Sequence, residues 1–286
     1  MKFRTAISPT KYPFHIGYED PVMLMGSCFS DHIGHFFARS GFQTCSNPFG
    51  TLFNPLSIAQ DVDFLLNPAS FDESWYLPFD GRWVSLAHYS KFSNADKDVF
   101  LQRIHLQMSE ASDFLRSAHY LFITWGTAYL YRHLERNKVV ANCHKMPASC
   151  FSKERLSINN IVETYQPLFE RLWQCNKNLR IVLTVSPVRH LGDGFHENTL
   201  SKSVLHLAAE QLVDNNRIFY FPAYEILQDD LRDYRFYAAD LCHPSPSAVE
   251  YIEDLVSQSF FTAETESLRK QKEKEFKASL HRPICD

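Results

Sequence analysis

Four short apolar runs, each closed by a chain-turning residue, constrain this sequence more than any other feature. Pro21-Val22-Met23-Leu24-Met25 stops at Gly26, and Tyr120-Leu121-Phe122-Ile123-Thr124 ends at Gly126. Arg180-Ile181-Val182-Leu183-Thr184-Val185 is closed by Ser186-Pro187, and Arg217-Ile218-Phe219-Tyr220-Phe221 by Pro222. Runs of this length without polar alternation read as strands buried on both faces. Between them lie segments with helical spacing. Ile33, Phe36 and Phe37 share one face before Gly41, and Leu101, Ile104, Met108, Ala111 and Leu115 share another. Further helices are expected over 55–66, over 158–173, over about 198–213 on Leu200, Val204, Leu207, Ala208 and Leu212, and after Ser245-Pro246. Strands alternating with long amphipathic helices imply an α/β domain with a mostly parallel sheet covered on both faces. In such sheets ligands sit at the carboxyl ends of the strands, which selects the loops 26–30, 124–128, 186–194 and 222–225.

Residues 68–95 break the alternation. Trp75, Tyr76, Leu77, Trp83, Val84 and Leu86 flank Asp80-Gly81, a hairpin signal, so this segment reads as an insertion. A second hairpin is expected over 129–142 with Val139-Val140 on its return arm. Residues 1–260 are read as one domain and 261–286 as a charged helical tail, its Lys/Glu-rich stretch solvated. Net charge −4 and a pI of about 6.3 disfavour nucleic acid as a partner. No run is long and apolar enough for a membrane span, and the seven cysteines form no CxxC pair. Free thiols, a cytoplasmic location and no metal or organic cofactor are the expectations.

Two segments carry nucleophile–base chemistry. Gly26-Ser27-Cys28-Phe29 lies where a strand turns into a helix, so a nucleophile there is exposed by the turn and its anion is favoured by the helix N-terminus. The plain alternative is that Ser27 caps the helix and Cys28 packs. Asp240-Leu241-Cys242-His243 spaces a carboxylate so that it can orient an imidazole, although Asp-x-x-His alone is a weak signal. Together they give a nucleophile–orienter–base order.

The sequence resembles the GSCFA domain, named for a motif present here as Gly26-Ser27-Cys28-Phe29-Ser30, with Ser in place of the final Ala. The resemblance continues through Asn47–Pro55, Gly126-Thr127-Ala128, Val140–Lys145, Ser186–His190, Tyr220–Glu225, Asp230–Tyr237 and Asp240–Pro244, spanning roughly residues 20–255. GSCFA domains are similar to SGNH (GDSL-like) hydrolases. That implies a three-layer α/β/α sandwich of flavodoxin type and hydrolysis of acyl esters, often on sugars or lipids. The family serine, two residues after a glycine, falls on Cys28, with Ser27 one place early, so both are candidate nucleophiles. The family's Asp-x-x-His maps onto Asp240 and His243, and its oxyanion glycine onto Gly50. Its glycine-x-asparagine motif meets Gly126-Thr127-Ala128, where the asparagine is missing. Removing one such donor costs roughly 10²–10³ in rate. Asn47, Asn54, Asn142 and His144 are candidate replacements, each with a turn or cap role as the plain reading. Arg189 and His190, beyond the third strand, are candidates for substrate binding, and Arg189 equally for a surface ion pair.

Three functions stay open on sequence: a hydrolase of a small-molecule or carbohydrate acyl ester, an acyltransferase on the same residues, and an inactive carbohydrate- or partner-binding domain.

Overall fold

The apolar runs do become strands. A computed structural model describes residues 4–280. In chain order its main elements are β1 (Val22–Gly26), α1 (Cys28–Arg39), β2 (Thr44–Ser46), α2 (Pro55–Leu66), β3 (Tyr76–Phe79), β4 (Arg82–Ser85), α3 (Lys97–Ser117), β5 (Tyr120–Trp125), β6 (Tyr129–His133), β7 (Lys138–Val140) and β8 (Phe151–Arg155). Then follow α4 (Ile158–Cys175), β9 (Arg180–Val185), α5 (Phe195–Leu212), β10 (Ile218–Tyr220), α6 (Ala223–Glu225), which runs into a π-helical turn over Ile226–Leu231, α7 (Pro246–Phe260) and α8 (Ala263–Leu280).

The central sheet has the order β10-β9-β5-β1-β2, and every pairing in it is parallel. Strand side chains alternate between faces, and that period sorts the core. Val22, Leu24, Tyr120, Phe122, Val182 and Phe219 face one side, with Ile33, Phe36 and Phe37 of α1 and Ile252, Leu255 and Phe260 of α7. Met23, Met25, Leu121, Ile123, Ile181 and Leu183 face the other, with residues of α2, α3, α4 and α5. The result is the three-layer sandwich expected. The first core is aromatic: Phe37, Phe42 and Phe261 pack ring on ring. A large apolar side chain fully buried in this way contributes about 1.5–3 kcal/mol.

Local chemistry sets the helix ends. Asn54 caps α2 ahead of Pro55, Ser157 and Asn160 form a capping box on α4, and Ser245 caps α7 ahead of Pro246. Both hairpins form. Asp80 and Gly81 turn β3 into β4 with positive φ at both positions, which favours the Gly. β6 pairs with β7 as expected, and also with β8, a third strand that the spacing does not announce. The edge strand β2 was likewise not foreseen.

Two expectations need correction. α5 buries Ser201, Lys202, Leu205, Ala208, Ala209 and Leu212, whereas Leu207 is 52% exposed. The helix is therefore rotated from the face first assigned. The charged tail is not solvated all round: in α8 the Arg269 guanidinium is buried over the Phe36 ring, paired with Glu266 and Glu273, and Arg39 of α1 reaches Glu273. Among the described residues, no helix is long and apolar enough to cross a membrane.

One core residue carries a stability cost. Asp61 in α2 is fully buried, and neither carboxylate oxygen has a hydrogen-bond partner among the described residues. Burial raises its pKa well above the ordinary carboxylate range. The folded chain therefore holds the proton while the unfolded chain releases it above about pH 4, so this group's penalty grows as pH rises. Asp61→Leu is expected to stabilise the fold by about 1–3 kcal/mol at neutral pH and by much less at pH 4. Denaturant unfolding at the two pH values checks this, and an equal effect at both would reject it.

Candidate active site

The fold rule delivers the Gly26-Ser27-Cys28-Phe29 turn, the candidate nucleophile turn, to the carboxyl edge of the sheet. Gly26 ends β1 with φ +138°, and a Cβ there would run into the Thr124 carbonyl of β5. Its N–H donates to Asn47 Oδ1 at 2.8 Å, and Asn47 Nδ2 donates to Asp31 of α1 at 2.7 Å. Asn47 thus ties the strand end, the loop after β2 and the first helix together, the structural role that is the plain reading for an asparagine there. Ser27 is fully buried and serves as N-cap, its Oγ accepting from Phe29 N–H. Cys28 is the first helical residue and is partly exposed. The helix start was expected to lower its thiol pKa. Instead burial, aided by the Asp31 carboxylate, pushes it up, against the pull of the Cys28 and Phe29 N–H groups and of Lys202.

Asp240 and His243 pair as the spacing implied. Asp240 Oδ2 lies 2.6 Å from His243 Nδ1, while Oδ1 accepts the backbone N–H groups of Cys242 and His243 at 2.9 and 3.0 Å. Those bonds hold the Asp240 carboxyl down at about 2. The loop is fastened to the chain beyond β9: Arg189 N–H donates to Cys242 O at 3.1 Å, and its guanidinium donates to Leu241 O at 3.3 Å. That guanidinium also packs over Phe195 and Tyr237. Arg189 therefore holds the dyad loop rather than forming a surface ion pair.

His190 turns inward. A Cβ placed on Gly126 would sit 3.2 Å from His190 Nε2 and 3.3 Å from Ser27 Cβ, so the glycine leaves the imidazole facing the Ser27-Cys28 turn. Nε2 is buried with no hydrogen-bond partner among the described residues. Burial, then the charges of Lys202 and His243, bring its pKa down to about 3, so the ring is neutral. A charge on His243 likewise lowers His32 in the first turns of α1, behind burial as the larger cause. His243 thus belongs to the same electrostatic neighbourhood as both sides of the turn.

The other candidates are placed as follows. Gly50, with φ +96°, spends its N–H on Asn47 O at 2.8 Å, so it does not offer the oxyanion donor assigned to it. Gly126 and Thr127 both donate N–H to Phe53 O, at 2.8 and 2.9 Å. Ala128, at the missing asparagine, is buried in the core and faces away from solvent. Asn54 is engaged as the α2 cap, and His144 bonds Ser85 O at 2.5 Å, so neither replaces the asparagine. Asn142 accepts from His144 N–H and lines a cleft of about 510 Å³ with Phe53, Thr127, Tyr129 and His190.

Sequence reasoning missed one face of α5. Asn198 Oδ1 accepts His190 N–H at 2.9 Å, Ser201 Oγ accepts Ala128 N–H at 2.8 Å, and Lys202 Nζ donates to Gly126 O and Ser186 O, both at 2.7 Å. The available signal was the i, i+3, i+4 spacing of three polar residues, which puts them on one side of a helix.

Comparison with known families gives one decisive match: the GSCFA family model covers residues 21–255. The chain belongs to the GSCFA family. Its GSCFA motif is therefore the β1–α1 turn just described. Comparison with curated proteins returns no match. Among solved structures, the GSCFA chain is similar to a carbohydrate esterase family 3 protein from Talaromyces cellulolyticus, at 8% identity and TM-score 0.41, covering 88% of this chain and 99% of that one. It is also similar to an acetyl xylan esterase from Butyrivibrio proteoclasticus, at 10% identity and TM-score 0.41, covering 84% and 64%. Likeness of this degree speaks for neither activity nor substrate.

Proposed function

We propose that the protein hydrolyses acyl esters with Cys28 as nucleophile, His243 as general base and Asp240 as its orienter. The Asp240–His243 pair, bonded at 2.6 Å on a loop fastened beside His190, carries this reading. The carboxylate fixes Nδ1 and leaves Nε2 to move protons. Cys28 is preferred over Ser27 because its side chain is partly exposed, whereas Ser27 is buried and occupied as a cap. A thiol whose pKa is raised needs a base, which His243 supplies.

Sγ attacks the ester carbonyl as its proton passes to His243. The tetrahedral oxyanion is met by the Cys28 N–H, which opens α1, and by His190, in the tautomer with Nε2 protonated. His243 then protonates the departing alcohol, leaving a thioester. Water, deprotonated by His243, releases the acid and restores the thiol. The substrate is a small-molecule or carbohydrate ester whose body occupies the cleft beside His190.

Intact-mass labelling with an activated acyl ester tests the assignment on the native chain, Ser27→Ala and Cys28→Ala. One acyl adduct is expected on the native chain and on Ser27→Ala, and none on Cys28→Ala. An adduct that persists in Cys28→Ala would sink the thiol reading, and loss confined to Ser27→Ala would transfer the role to serine.

A further inference from the structure

Lys202 is a charged side chain with no part in the chemistry above, yet it is 2% exposed. Burying an ammonium is costly unless its donors are satisfied, and here Nζ meets two backbone carbonyls at 2.7 Å. They belong to Gly126 and Ser186, the residues that follow β5 and β9. The first of these strand ends borders the Ser27-Cys28 turn, and the second lies one strand further along the sheet edge. Gly126 packs against Ser27, and Ser186 leads into Arg189 and His190. A stability role alone would be served more cheaply by an apolar side chain of that size.

The groups that feel this ammonium all belong to the site or its rear wall. They are Cys28 on α1, His190 beyond β9, His206 one turn along α5, and Tyr224 of α6, whose ring centroid lies 5.7 Å from Nζ. The same charge that makes protonation of the two imidazoles harder makes an anion at Cys28 easier. Opposing it near Cys28 is Asp31, itself bonded to Asn47 and Thr51.

We propose that Lys202 is a positioning residue of this site: it clamps the ends of β5 and β9 and holds a positive charge beneath the Ser27-Cys28 turn, where negative charge develops. The assignment rests on the esterase reading only for its catalytic consequence, since the field at Cys28 exists whether or not an ester is turned over. Burial brings the Lys202 pKa down to about 7, against the pull of Cys28, so the positive charge is present below neutral pH and is lost as pH rises above it.

The test reads Cys28 itself. Iodoacetamide labelling of the full chain is followed by peptide mass spectrometry across pH 6 to 10, in the native chain, Lys202→Met and Lys202→Gln. Gln keeps two N–H donors for the two carbonyls but carries no charge. In both variants the Cys28 labelling profile is expected to shift: at pH 6 to 7, where the native ammonium is charged, the reaction slows by roughly tenfold, the difference narrows above pH 8 as native Lys202 loses its proton, and Cys175 is unchanged. Labelling of Cys28 within about twofold of native at every pH in a folded variant overturns the proposal. If Lys202→Met fails to fold, Lys202→Gln decides, and collapse of both assigns Lys202 to stability alone, which also overturns it. A native chain that cleaves no acyl ester but shows the shift leaves this proposal standing and removes the esterase reading. Ester cleavage without the shift does the reverse.

Discussion

On the proposed mechanism, His243→Ala is expected to lower kcat/KM for an activated acyl ester by about 10³–10⁴, because the variant would have no group to take the thiol proton and none to protonate the leaving alcohol. Asp240→Asn falls nearly as far. The amide cannot replace a carboxylate that accepts two backbone N–H bonds and the imidazole, so the ring loses its fixed orientation. The two losses do not add, since both residues serve one base. Steady-state kinetics of the single and double variants check this. Ester turnover by His243→Ala within tenfold of native would remove His243 from the mechanism. Because the Asp240 carboxyl is held at about 2, the carboxylate form persists as pH falls through the range where free aspartate protonates. Loss of activity between pH 5 and pH 3 is then not caused by protonation of Asp240.

Gly26→Ala has the largest effect expected on stability, about 3–5 kcal/mol. Two causes combine. A φ of +138° is a region that side-chain-bearing residues rarely occupy, at a cost of roughly 1–3 kcal/mol. The added Cβ also strikes the Thr124 carbonyl, which is backbone of the neighbouring central strand and cannot swing aside. Gly26 O accepts Leu52 N–H at 2.8 Å and Ser27 N–H donates to Thr124 O at 3.1 Å, so relief by moving the turn breaks bonds on both sides. Chemical denaturation of Gly26→Ala against Gly81→Ala makes the comparison, since a Cβ on Gly81 meets nothing within 4 Å. Equal losses at the two positions would show that φ alone, and not the close approach of β1 to β5, sets the cost.

The motif residues show how far local pattern reaches. Asp240 and His243 are three apart in one loop, so their pairing depends on a few backbone angles, among them φ +58° at Leu241. Their partnership was readable from spacing alone. Cys28 against Ser27 was not, because one residue of register at a helix start decides which side chain is a buried cap and which is exposed. Gly50 was misread for a related reason: a glycine in a loop shows that the backbone bends, not which carbonyl its N–H will meet. The donor set around the missing asparagine was equally invisible. His190 comes to Gly126 and Ser27 only through β9 lying next to β5, and β5 next to β1.

α5 is the clearest division between the two levels. Its helical period is plain in the sequence. Its rotation was misjudged because Ser201 and Lys202 look like solvent-facing residues, and in isolation they would be. Only the two strand ends beneath the helix, each presenting a carbonyl, make a buried lysine affordable. β2 and β8 were missed in the same manner: Thr-Cys-Ser and Phe-Ser-Lys-Glu-Arg have little strand character until an adjacent strand offers its backbone bonds.

The sequence by itself determined the elements of the central fold, the parallel sheet and its two covered faces, since these follow from hydrophobic period and chain-turning residues acting over short distances. It also determined the family and the Asp-x-x-His pair. Only the tertiary structure decided which side chains meet at the sheet edge: Lys202 under the turn, His190 against Gly126, and Gly50 withheld from the site. Such meetings depend on strand order and on competition for a fixed number of backbone donors and acceptors, which no local spacing encodes.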